Sequence, residues 1–111
     1  MNAPTLIQDL ELWEAWIEFD HLHSNRFGIL YVLGEAPVNA TEKTVRMVKA
    51  EDETDPGKLI LTIPRNHLPG KVKMKEVIYS EPVSRIGHYH TIVINNGNDF
   101  LVEINDIEVL V

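Results

Sequence analysis

From Trp13 onward apolar and acidic side chains alternate, with Trp13, Ala15, Ile17 and Phe19 on one face of an extended chain and Glu14, Glu18 and Asp20 on the other. A period of two predicts a strand with one buried and one solvated face. If the segment is extended, Trp13 and Trp16 point to opposite faces, so one of them is left outside a single core and marks a contact surface beside Phe19 or Leu10. Ahead of this strand, Thr5 and Gln8 have the spacing of a capping box that opens a short helix with Leu6, Leu10 and Trp13 on one side. Read instead as extended chain, Leu6 to Leu12 forms a first edge strand.

After the turn residues Ser24-Asn25-Arg26-Phe27-Gly28, the unbroken apolar run Ile29 to Leu33 predicts a central strand buried on both faces. Thr44 to Lys49 alternates again, with Val45 and Met47 together. Glu51 to Asp55 carries four carboxylates and is a solvated loop. Lys58 to Ile63 is a further apolar strand, closed by Pro64. Lys71, Lys73 and Lys75 share one face of the next strand, with Val72 and Met74 opposite, and Val77 to Tyr79 continue it. Asn105 to Val111 alternates once more.

The firmest element is a hairpin. Asn96-Gly97 separates Thr91 to Ile94 from Phe100 to Ile104, and Asn-Gly between β-branched runs suits a two-residue type I′ turn. That turn pairs residue 95 with 98 and sets Ile92 opposite Leu101, His90 opposite Glu103 and His88 opposite Asn105. Tyr89, Thr91 and Val93 then join Phe100, Val102 and Ile104 on the core face. A three-residue turn with Gly97 in the left-handed region instead places His90 opposite Val102, on the core side.

About seven or eight short strands at roughly eight-to-twelve-residue spacing predict an all-β fold, an antiparallel β-sandwich of immunoglobulin-like architecture, with a small β-barrel as the alternative. At 111 residues the chain is expected to form one domain, residues 1–111, able to bury a core without staples. Cysteine is absent, which excludes thiol catalysis and disulfides. The formal charge of −7 disfavours nucleic acid and anionic membranes as partners. No signal-like or spanning apolar segment is visible, so the expected compartment is the cytoplasm.

Two His-x-His patterns carry the candidate chemistry. Residues two apart on a strand project on one face about 7 Å apart. His88 with His90, and His21 with His23, therefore each supply half of a site for Zn, Cu or Ni, with Glu103 as a further ligand. The plainer reading of His90 and Glu103 is a cross-strand polar pair. No Gly-x-Ser-x-Gly elbow or Gly-rich phosphate loop is present. The row Lys71, Lys73 and Lys75 reads as the guard of an edge strand or as a stripe for an acidic partner. The function expected from these features is non-catalytic: a protein-interaction or self-association module that acts through an edge strand and the Trp13/Trp16 region, without a cofactor. The alternatives are a metal-binding protein or metal-dependent enzyme built on the histidine pairs, and a barrel holding a hydrophobic ligand.

Overall fold

The computed structural model describes residues 12–19, 27–38, 43–50, 55–64, 72–84 and 89–110. In chain order the strands are β1 (Trp13–Phe19), β2 (Phe27–Val38), β3 (Thr44–Arg46), β4 (Val48–Lys49), β5 (Lys58–Ile63), β6 (Lys73–Ser84), β7 (Thr91–Asn96), β8 (Asp99–Ile104) and β9 (Glu108–Leu110). They form a five-stranded sheet in the order β3-β6-β2-β1-β9 and a four-stranded sheet in the order β4-β5-β7-β8. A single hydrophobic cluster draws on both sheets, so the arrangement is a sandwich. The expected purely antiparallel pairing does not hold throughout. β1 with β9, β3 with β6 and β5 with β7 run parallel, and both sheets are mixed. The expected N-terminal helix or edge strand before Trp13 lies outside the described residues. Among the described residues, no helix is long and apolar enough to cross a membrane.

The inner faces follow the period-two pattern. Ile17 of β1, Leu30 and Val32 of β2, Val77 of β6, Leu59, Leu61 and Ile63 of β5, Ile92 and Ile94 of β7 and Val102 of β8 are fully buried. Burying each such side chain stabilises the fold by about 1.5–3 kcal/mol before conformational entropy is counted. Trp13 packs over its cross-strand partner Gly34, where an added Cβ would enter the indole ring. The Thr44 to Lys49 segment does not stay in one sheet. Its chain crosses from β3 to β4 at Met47, whose side chain is buried and whose amide donates to the Ile78 carbonyl at 2.8 Å. A flexible thioether suits the irregular space at such a crossing.

β2 departs from expectation. Its run of apolar residues is buried on one face only: Leu30 and Val32 are in the core, whereas Ile29 is 42% exposed and Tyr31 and Leu33 are half-buried on the outside. No second layer covers the outer face within the described residues, and a central place in a sheet does not by itself bury both sides of a strand.

The β7–β8 hairpin forms with a different register. Asn96 pairs with Asp99, so the turn centres on Gly97-Asn98. Gly97 has φ 65°, and it is the one described residue with positive φ. Positive φ at the first central position alone is the type II′ pattern, not type I′. An irregularity follows, with Asn95 opposite Phe100 and Ile94 opposite Val102, so Leu101 is an extra residue in β8. Ile92 and Ile94 with Val102 and Ile104 therefore face the core, while Val93 lies opposite Glu103 on the outer side. The two-residue count places Val102 and Ile104 on the core face, as observed, but puts Val93 there instead of Ile92 and Ile94, because a single-residue slip reverses every side chain of one strand. The three-residue count has the even-numbered residues of both strands on the core side, as observed, but pairs Val102 with His90 instead of Ile94.

Candidate functional site

The register aligns an unpaired surface on the outer face of the five-stranded sheet. β1 and β2 place Trp16 beside Tyr31 and Glu18 beside Ile29, and β2 and β6 place Tyr31 beside Ser80, Ile29 beside Pro82 and Leu33 beside Ile78. β9 adds Glu108 next to Trp16 and Leu110 next to Glu18, and β3 adds Arg46 next to Ile78. The result is an aromatic and aliphatic stripe running from Phe27 to Leu33 along β2 and sideways across its neighbours. Phe27 is 58% exposed, Ile29 42% and Leu110 40%. Trp16 and Tyr31 stack with ring centroids 5.4 Å apart and planes 25° from parallel. The indole Nε1 donates to Glu18 Oε1 at 3.0 Å, which fixes the ring flat on the sheet.

Carboxylates fence the stripe. Glu14, Glu18 and Glu108 border it on β1 and β9. Glu35 lies directly opposite Glu76 across the β2–β6 pair, and Thr44 Oγ1 donates to Glu76 Oε1 at 3.2 Å. Arg46 is the single cation in these aligned rows. At one end Leu12, Glu14, Leu33, Glu35 and Glu76 line a shallow depression of about 240 Å³. On the β1 edge an open cavity of about 670 Å³ is lined by both Trp13 and Trp16 with Glu103, Ile104, Asp106 and Glu108. Apolar surface bordered by negative charge on two sides favours ligands that combine apolar bulk with positive charge.

A second polar group sits between the two sheets. Tyr79 Oη donates to Glu81 Oε1 at 2.9 Å, Tyr89 Oη donates to the same carboxylate at 3.2 Å, and Lys49 Nζ donates to Tyr89 Oη at 2.9 Å while reaching Glu81 Oε2 at 3.5 Å. Burial, then the hydrogen bond to Glu81, raises the pKa of Tyr79 well above its ordinary value. The hydrogen bond to Tyr89 and the charge of Glu81 raise that of Lys49, against the opposing effect of its partial burial. Both groups hold their protons, so the set is suited to bridging β6 to β4 and the approach to β7, and poorly suited to proton exchange.

The expected metal ligands divide. His21, His23 and His88 lie outside the described residues, as does His67. His90 and Glu103 are described, and they are not cross-strand partners. A hydrogen-bonded chain connects them instead: His90 Nδ1 lies 2.8 Å from Thr91 Oγ1, Thr91 Oγ1 donates to Asn105 Oδ1 at 3.1 Å, and Asn105 Nδ2 donates to Glu103 Oε2 at 3.1 Å. The Thr91 hydroxyl proton is committed to Asn105, so its oxygen accepts from Nδ1–H. Among the described residues, no group of three or more histidine, cysteine or acidic side chains is placed to hold a metal ion.

Of the lysine row, Lys71 lies outside the described residues. Lys73 and Lys75 share a face of β6, as expected, and pair with Val38 and Ala36 of β2. In the sheet order β6 lies between β3 and β2, but β3 pairs with Glu76–Ile78 only, so at Lys73 and Lys75 the strand has a described neighbour, β2, on one side alone. Trp13 and Trp16 do point to opposite faces. Trp13 is 7% exposed, and Trp16 is the outer one. Its neighbour on the outer face is Tyr31, whereas Phe19 lies in the core with Trp13.

From sequence alone Phe27 reads as a turn residue and Ile29 to Leu33 as a strand buried on both faces, because an apolar run denser than one-sided burial needs is equally consistent with a covered and an open outer face. No protein-family model, no curated protein and no solved structure matches this chain.

Proposed function

We propose that this chain is a non-catalytic interaction module that binds another protein through the outer face of its five-stranded sheet. The observation that carries this reading is the contiguous stripe of Phe27, Ile29, Tyr31, Leu33 and Trp16, left partly exposed on a sheet whose other face supplies the core. Scattered apolar residues are ordinary on protein surfaces, but a contiguous patch with an ordered aromatic pair has the composition of an interface centre. The depressions at its Leu33 end and along the β1 edge give a partner's side chains somewhere to seat.

The test is site-specific photocross-linking in extract from the source cells, with a photoreactive residue replacing Ile29 in one variant and Thr62, on the outer face of the four-stranded sheet, in another. A discrete adduct from position 29 that weakens when Trp16→Ala is added, with none from position 62, is the expected result. Adducts of equal yield from both positions, or none from either, would defeat the proposal. The adduct's mass separates a second copy of this chain from a different protein.

A further inference from the structure

We infer that the partner presents to this face a short segment with an apolar centre and flanking lysine or arginine side chains. This rests on the interaction reading above and names the chemistry that the face selects. The argument starts with charge. Glu14, Glu18 and Glu108 flank the stripe on the β1–β9 side and Glu35 and Glu76 close its Leu33 end, and among the described residues of these rows the one cation is Arg46. Glu35 and Glu76 stand directly opposite each other on adjacent strands, an arrangement that destabilises an isolated sheet. A cationic side chain seated in the depression lined by Glu14, Glu35 and Glu76 relieves that repulsion, while Leu12 and Leu33 in the same depression pack its methylene stem.

Size and sign then choose among occupants. The stripe spans four strands and about six residues of β2, roughly 14 Å by 20 Å from strand spacing and rise, or on the order of 300 Å². A stable interface between whole subunits covers about 800 Å² on each partner. A second copy would also bring the same glutamates against this fence, on a chain of formal charge −7. An anionic membrane or nucleic acid meets the same repulsion. A peptide-sized segment with basic flanks fits both the area and the charge.

The face carries its own reporter, since Trp16 lies in the stripe and Trp13 in the core. Full-length protein is titrated with three synthetic peptides: a Leu-Phe-Val centre flanked by lysines, the same centre flanked by glutamates, and a Gly-Ser centre flanked by lysines. The expected result is saturable quenching or shift of tryptophan emission by the first peptide. Its affinity should exceed that of either other peptide by roughly tenfold or more and weaken as salt is raised to about 0.5 M. Ile29→Ser abolishes the response. The double change Glu18→Lys and Glu108→Lys, both on solvated strand positions, transfers the preference to the glutamate-flanked peptide. Equal binding of the two apolar peptides, equal binding of the Gly-Ser peptide, or indifference to these substitutions overturns the inference. If no peptide binds while the position-29 adduct persists, the basic-segment inference falls and the interaction reading stands. If both fail, both fall.

Discussion

Glu81 shows how one residue ties two sheets together. Its carboxylate accepts from Tyr79 on its own strand and from Tyr89 on the approach to β7, and it faces the Lys49 ammonium from β4. The Lys49 side chain is half exposed, so its ion pair alone contributes little. The phenol hydrogen bonds matter more, because Glu81 is only 18% exposed and water replaces them poorly. Glu81→Ala is expected to cost about 1–3 kcal/mol, read from the urea midpoint at constant slope. Tyr79 and Lys49 both hold protons more tightly when folded. The stability they contribute is complete below their ordinary values of 10.0 and 10.5 and is lost as pH rises beyond them. Stability therefore declines from about pH 10 upward, and Tyr79→Phe makes the decline shallower by removing one titrating group. A parallel decline in the two proteins would contradict this assignment.

The elements with two unlike faces are β1 and β2. On β1 the inner residues Trp13, Ala15, Ile17 and Phe19 are buried and the outer ones carry Glu14, Trp16 and Glu18, so alternation and burial agree. On β2 both faces are apolar, and the solvent-facing side is the candidate interface. Ile17→Ala is expected to lower stability by about 2–5 kcal/mol through the cavity it leaves. Ile29→Ala, on the outer face, is expected to cost less than about 1 kcal/mol. Chemical denaturation of the two variants measures the difference. Comparable losses would mean that the outer face is packed in the folded chain, and the interface reading would lose its footing.

Across the whole molecule, pairings between distant segments hold the sandwich closed. β1 pairs with β9, setting Trp16 beside Glu108, and β5 pairs in parallel with β7 although β6, which lies between them in sequence, belongs to the other sheet. Contacts of such long sequence separation require loop closure before they stabilise anything. Folding is expected on the millisecond-to-second scale typical of β-sandwiches, followed by stopped-flow tryptophan emission, since Trp13 and Trp16 both sit on β1. Complete folding within tens of microseconds would not be compatible with this topology.

Much of the local architecture was legible in the residues themselves. Side-chain alternation placed the buried face of β1 and set Trp13 against Trp16, because the strand period is a property of the backbone and needs no partner. Proline, glycine and acidic clusters marked the breaks between strands for the same local reason. The hairpin was legible as an element but not in its register. Asn96 Nδ2 donates to the Pro37 carbonyl at 2.8 Å and the Gly97 amide to the Ile63 carbonyl at 3.1 Å, bonds to distant strands that accompany the shifted turn and the extra residue at Leu101. The parallel pairings were likewise beyond local patterns, which carry no information about which strands become neighbours. The candidate interface belongs to the same class. Ile29, Tyr31 and Leu33 are equally consistent with a covered or an open strand, and only the packing of one sheet against the other, with its opposite face left outward, decided which face the core would use.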